Sequence, residues 1–186
     1  MGFASDKSAK QKAAIALNII FAIIIVILLV LIILFSTTFM TITVKGNSML
    51  PTLEDGDKLM LLKHGYKLSR GDIIVFKKDD VNNVKRILGL EGDVIQFDLE
   101  NETWIVNGNA YEEDYIKDGY SENYFSLSDN EVFDAIFSEE GFIVPEGHLF
   151  VLGDNRNIQD GYVSVDSHTY GALNTSNIIG KVIKIY

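Results

Sequence analysis

Two side chains in this 186-residue chain have the types and settings to form a nucleophile and its base. Ser48 lies in a Gly46-Asn-Ser-Met-Leu-Pro-Thr52 turn, and Lys85 is flanked by the apolar Val84 and Ile87-Leu88. A serine hydroxyl is a weak nucleophile until a neighbouring base takes its proton. The three histidines, His64, His148 and His168, stand in no local pattern resembling a serine-histidine-acid triad. A lysine can take the place of histidine if it is held neutral. Its ordinary pKa of about 10.4 must then fall, and full burial can lower it by about 3–5. The chemistry on offer is hydrolysis by a serine whose proton goes to a lysine.

Each residue also has a plainer reading. A serine ahead of a proline often satisfies a turn backbone group, because the proline fixes its own φ and biases Leu50 toward an extended conformation. A lysine on a strand is usually solvated. On an alternating strand Arg86 points to the opposite face from Lys85, so only one of the two basic groups need be buried. A third segment, Gly153-Asp-Asn-Arg156, reads alone as a strand end. The absence of cysteine excludes disulfides, thiolate zinc sites and cysteine nucleophiles. Serine-lysine hydrolysis needs no metal or organic cofactor, and no ligand cluster suggests one.

The elements that must position these groups begin with a membrane segment. No charged residue occurs from Ala13 to Val44, and Ile15 to Phe35 is apolar except for Asn18. About 20 helical residues at about 1.5 Å each cross a hydrocarbon core of about 30 Å. The run exceeds the apolar core of a cleaved signal peptide, and the Ser36-Thr-Thr-Phe-Met40 that follows lacks a small-x-small pattern. It is apolar on every face, unlike a soluble helix. A retained single-pass anchor over 13–40 is therefore expected. Lys7, Lys10 and Lys12 against Asp6 give the 1–12 arm a net +2 and leave −12 on the remainder. By the positive-inside rule the arm is cytoplasmic and residues 41–186 are extracytoplasmic, with Lys45 as the opposing basic residue.

An acidic domain argues against nucleic acid as a partner and against a polybasic lipid-binding surface. Beyond the anchor, short β-prone runs at 41–44, 58–62, 72–76, 84–88, 94–97, 103–106, 149–152 and 178–185 are separated by Gly-Asp and Asn-Gly turn signals. They predict a mostly antiparallel β-domain. From Tyr111 to Phe142 the chain turns acidic and aromatic with no sustained period, although Glu131 to Phe137 fits one or two helical turns. An insertion or subdomain at about 98–145, apart from the catalytic core, is expected.

Taken together, the segments resemble the boxes of bacterial type I signal peptidases, membrane-bound serine-lysine proteases that remove signal peptides from exported preproteins. Ser48-Met-Leu-Pro-Thr52 matches the nucleophile box S-M-x-P-T. Lys85-Arg86 with Gly89-Leu-Glu-Gly-Asp93 matches the lysine box, and Gly153-Asp-Asn-Arg156 matches the closing box. Arg70-Gly-Asp72, the order and the spacing also agree. The single span and Gly46 look like the Gram-positive branch, in the bacterial plasma membrane.

The resemblance implies that Ser48 attacks the scissile carbonyl and that neutral Lys85 accepts its proton. The Ser48 backbone N–H would help hold the oxyanion, while Gly46 cannot supply the side-chain hydroxyl that some relatives add there. The segments before Ser48 and before Lys85 would clasp the preprotein as an added strand. Ile42, Val44, Met49, Leu53 and Val84 would shape shallow pockets that admit small side chains, giving A-x-A-like selectivity; each is equally readable as an ordinary core residue. Asp154 and Arg156 would hold the closing box by an ion pair.

The closing box departs from the family pattern G-D-N-R-x-x-S-x-D-S-R. Gln159-Asp-Gly-Tyr-Val163 intervenes before Ser164-Val-Asp-Ser-His168, so the serine that orients the lysine would be Ser164 once about five residues are looped out. His168 stands where the family has arginine, so the support around Asp166 is expected to be weaker or pH-dependent. Glu91 in place of the usual proline reads as a turn change. Two rivals are soluble self-cleaving regulators, which would carry a DNA-binding domain in place of an anchor, and a tethered peptide-binding relative without activity. A dedicated substrate set such as pilins is the narrower alternative.

Overall fold

The computed structural model describes residues 3–116, 120, 124–125, 130–157 and 165–186, with backbone alone for 3–10. Ser164 and the 159–163 segment lie outside the described residues. The chain divides into two compact units, Met1–Met40 and Thr41–Tyr186.

The first unit is helix α1, Phe3–Thr38. Its Gln11–Thr38 portion is one uninterrupted helix, long and apolar enough to cross a membrane, with none of its apolar side chains packed inside the protein. At its end the Ser36 and Thr37 hydroxyls turn back to the Ile33 carbonyl at 2.9 and 3.0 Å. Such bonds satisfy polar groups that lipid cannot. α1 begins at Phe3, inside the 1–12 arm.

The second unit carries the β structure. In chain order the strands are β1 (Phe39–Thr43, of which Thr41–Thr43 belong here), β2 (Lys58–Leu62), β3 (Ile73–Lys78), β4 (Val81–Gly89), β5 (Val94–Asp98) and β6 (Thr103–Val106). They continue with β7 (Asn109–Ala110), β8 (Phe142–Ile143), β9 (His148–Leu152), β10 (Leu173–Asn174) and β11 (Ile178–Ile185). Short helices α2 (Glu131–Ile136) and α3 (Ser167–Tyr170) complete it. One sheet runs β1-β2-β11-β3-β4-β9-β10 and a second runs β7-β6-β5-β8. From β2 through β11, β3, β4 and β9 to β10, and throughout the second sheet, neighbouring strands are antiparallel.

The register of β3 with β4 sets Lys85 opposite Ile74 and Val84 opposite Val75. Alternation along β4 then sends Lys85 and Arg86 to opposite faces, as expected from the sequence. Pairing of β4 with β9 begins at Arg86↔Leu152. The Val81–Lys85 half of β4 therefore has β3 on one side and lies along a cleft on the other.

The 98–145 segment does not close on itself. Its Trp104, Val106, Tyr124, Ile136 and Val144 share one buried cluster with Ile95 and Phe97 of β5, Leu88 of β4 and Phe150 and Leu152 of β9. Gly89 marks where the two sheets meet: a Cβ there would stand 2.7 Å from Ile95 and 3.2 Å from Phe150 and Val144. The glycine of the lysine box is thus a packing requirement. α2 is capped by Asn130, whose side chain accepts from the N–H groups of Val132 and Phe133 at 3.0 and 3.1 Å. The same side chain donates to the Thr169 carbonyl at 2.8 Å, tying α2 to the turn of α3.

Candidate active site

Ser48 is set by a turn pinned at two apolar points. Met49 and Leu53, at 1% and 0% exposure, enter the core formed by Val44, Leu59, Leu61 and Val75. Between them the Leu50 N–H reaches the Asn47 carbonyl at 3.2 Å and the Leu53 N–H reaches the Met49 carbonyl at 2.9 Å, and the Leu50–Pro51 peptide is cis. Gly46 enters the turn at φ 85°, a left-handed conformation that glycine adopts without a Cβ penalty, and its N–H donates to Asp55 at 2.7 Å. Burying two large side chains just after Ser48 fixes the hydroxyl better than the turn bonds alone could.

The closing box holds the other side of this turn. The Asn155 N–H donates to the Ser48 carbonyl and its side-chain amide donates to the Asn47 carbonyl, both at 3.0 Å. Nothing local marks Asn155 for this role, since an asparagine between two charged residues reads as a loop residue. The Ser48 N–H makes no hydrogen bond among the described residues.

Lys85 is 3% exposed and lies on the wall of a cleft of about 660 Å³ that Ser48 also lines. Burial pulls its pKa below the ordinary lysine value, Asp166 and Asp154 oppose that, and Arg156 adds to it. Desolvation is the largest of these influences, so the net direction is down. Ile42, Val44, Met49 and Val84 line the same cleft, with Asp80, Val81, Asn82 and Val165 toward its rim. Leu53, expected among the pocket residues, is not on this wall; its fully buried side chain anchors the turn instead.

Three ion pairs surround the lysine. Arg86 donates to Asp154 from Nη2 at 2.5 Å and Nε at 2.9 Å, reaches the Gly71 carbonyl at 2.8 Å, and stacks over Tyr115 at 4.0 Å. Arg86 is thus largely covered, its side chain 12% exposed, made possible by this bidentate partner. Arg156 donates to Glu113 from Nη2 at 2.6 Å and from Nη1 at 3.1 Å, and to the Tyr120 hydroxyl. The expected ion-pair support of the closing box is present but its partners differ. Asp154 and Arg156 pair outward, to the lysine box and to the acidic middle segment, because Asp154 already meets a buried guanidinium across β4 and Arg156 turns away from it.

The third pair is Asp166 with His168, whose Nδ1 contacts Oδ1; both are fully buried. The Gly153 N–H donates to the other Asp166 oxygen at 3.0 Å. Burial acts to raise the Asp166 pKa, but His168, Lys85 and the Gly153 N–H together hold it below the usual carboxylate range. Ser167 accepts from the Val151 N–H at 2.9 Å, so the Asp-Ser-His run is fastened to Val151 of β9 and to Gly153 just beyond the strand. Glu91 accepts from the Gly147 N–H at 2.8 Å, a turn contact as expected.

Residues 16–186 match the family model described as signal peptidase, peptidase S26. The chain is 36% identical over 153 residues to signal peptidase IB of Staphylococcus aureus, covering 75% of this chain and 73% of that protein. It is 37% identical over 152 residues to signal peptidase I of Bacillus caldolyticus, covering 77% of each. Among solved structures it matches a signal peptidase I from Enterococcus faecalis V583, at 30% identity and a TM-score of 0.47, over 64% of this chain and 98% of that one.

Proposed function

The chain belongs to the signal peptidase family, peptidase S26, and removes signal peptides from preproteins; from that premise we propose that Ser48 and Lys85 are the residues that do it. The observation that carries the assignment is the pair's position on one cleft wall with Lys85 almost wholly buried. Ser48 Oγ attacks the scissile carbonyl carbon as its proton passes to the Lys85 amine. The tetrahedral oxyanion lies against the Ser48 N–H. Collapse transfers the lysine's proton to the leaving amine and leaves the signal peptide esterified to Ser48. Water then attacks the ester with Lys85 again accepting the proton, and the carboxyl product departs as Ser48 regains its hydrogen.

The substrate lies extended between the Ile42–Lys45 segment and the Val81–Lys85 half of β4, adding a strand to an edge that β9 leaves open. Ile42, Val44, Met49 and Val84 leave little depth beside the nucleophile, which favours small residues at the first and third positions before the cut. Asp154, Arg156 and Asp166 support the lysine, and Ser164 is the residue assigned to orient it. α1 anchors the protein in a lipid bilayer, with residues 1–12 in the cytoplasm and 41–186 outside the plasma membrane.

The test is cleavage of a preprotein with an A-x-A site by the full chain in detergent or liposomes. One cut after the second alanine is expected, abolished in Ser48→Ala and reduced at least about 100-fold when either alanine becomes leucine, since overfilling a shallow pocket forces the strand off the edge. Undiminished cleavage by Ser48→Ala would remove the assignment.

A further inference from the structure

Asn155 holds the backbone of the nucleophile on both sides. Its N–H donates to the Ser48 carbonyl and its side-chain amide donates to the Asn47 carbonyl, both at 3.0 Å. These carbonyls belong to the two peptide units that flank the Ser48 Cα, so a single residue restrains φ and ψ of Ser48 together. The amide is itself oriented, because its oxygen accepts from the Asn157 N–H at 3.2 Å. The preceding Asp154 is 1% exposed and is gripped by Arg86, the residue after Lys85. Residues 154 and 155 thus brace the strand that carries the lysine and the turn that carries the serine. The turn does not need Asn155 for its own shape: the Leu50 and Leu53 N–H groups close it, and buried Met49 and Leu53 anchor it.

We propose that Asn155 is a positioning residue that aims the Ser48 N–H at the developing oxyanion. The proposal rests on Ser48 being the nucleophile. The Asn47–Ser48 peptide is trans, and in a planar trans unit the N–H points opposite to the C=O. The bond that draws the Asn47 carbonyl toward Asn155 therefore turns the Ser48 N–H away from it, and that N–H makes no hydrogen bond among the described residues. Donation to the carbonyl also polarises the same peptide unit, which makes its N–H a stronger donor. Gly46 lies just upstream at φ 85°, and a glycine leaves the adjoining backbone freer to rotate unless a group outside the turn restrains it. A donor stabilises a transition state most when it is already in place as charge develops. Asn155 supplies that restraint from the closing box without touching substrate.

The experiment compares full-length Asn155→Ala with wild type in detergent. It measures kcat and KM for a preprotein with an A-x-A site, and affinity for two peptides that end at the cleavage site, one a boronic acid and the other a carboxamide. The boronic acid forms a tetrahedral adduct with an oxygen in the oxyanion's place, and the carboxamide binds without one. In Asn155→Ala, kcat is expected to fall about 10–30-fold, short of the roughly 10²–10³-fold cost of losing an oxyanion donor outright, with KM within about twofold. Affinity for the boronic acid should fall by the same factor as kcat, and affinity for the carboxamide should hold. Asn155→Asp keeps the size and the backbone bond but sets an acceptor against the Asn47 carbonyl; it should show the same split at least as strongly, and it decides alone if the alanine variant fails to fold. Equal losses for the two peptides, or an unchanged kcat, would overturn the proposal, since a merely structural asparagine would not separate them. A wild-type adduct on a residue other than Ser48 would remove the nucleophile assignment and the proposal with it. An adduct on Ser48 whose affinity ignores Asn155 would remove the proposal alone.

Discussion

Lys85→Met is expected to lower kcat/KM for preprotein cleavage by about 10³-fold or more while leaving the melting temperature level or higher. Removing a general base costs about 10²–10⁴ in rate. The stability expectation runs the other way because an amine at 3% exposure gives up its hydration, and an apolar chain of similar length does not. The sign with pH follows from its lowered pKa. An unfolded lysine keeps its proton to about pH 10.4 while the folded one releases it earlier, so between the two values unfolding takes up a proton and stability rises with pH. Lys85→Met should lack that slope, and its advantage over wild type should shrink as pH approaches about 10.4. Paired kcat/KM and thermal unfolding measurements across pH check both halves. Loss of activity together with a lower melting temperature would instead make Lys85 a structural residue.

The largest stability loss is expected at Arg156, which the proposed chemistry never touches. Its guanidinium is fully buried against Glu113, itself 8% exposed in its side chain. Arg156→Met strands a carboxylate in a low-dielectric setting, and breaking a buried pair from one side costs about 3–5 kcal/mol. For a protein of this size that is a fall of roughly 10 °C in melting temperature. Adding Glu113→Leu should recover most of the loss, because the stranded charge is then gone. The contrast is Lys77–Asp80, a 2.9 Å pair with both side chains more than half exposed, where Asp80→Ala should change stability by less than about 1 kcal/mol. Unfolding curves for the three variants against wild type separate the two classes. If the double variant is no more stable than Arg156→Met, the pair is not the source of the loss.

The elements around the site were legible where a local pattern carried them. The eight strands read from alternation all recur, and Lys85 and Arg86 diverge as alternation requires. The two-residue strands β7, β8 and β10 were not legible, because two residues hold no period. An acidic, aromatic stretch shows no face of its own, so in sequence the middle segment looks like an appendage; its aromatics find their face only against Leu88, Phe150 and Leu152, which are distant in sequence.

The same limit governs the polar contacts. Glu112-Glu-Asp114 offers three acids in a row, and only the fold selects Glu113 for Arg156. Tyr115 and Tyr120 gained no role from sequence, yet Tyr115 faces Arg86 and both donate to Glu113 at 2.7 Å. Leu53 shows a related ambiguity. A leucine next to a nucleophile turn can line a pocket or anchor the turn, and burial alone tells which. By contrast, the contact of His168 with Asp166 was readable, since a two-residue spacing in the closing box already placed them together.

The most direct test of the central claim is to ask which atom becomes acylated or captured. A peptide ending at the cleavage site in a boronic acid forms a tetrahedral adduct only on an activated serine. Full-length protein is treated with it near neutral pH, digested under conditions that preserve the adduct, and mapped by mass spectrometry. The account predicts a single adduct on Ser48, formed by wild type and absent in Lys85→Met. An adduct on another serine, or one that forms on Ser48 equally fast without Lys85, would contradict it.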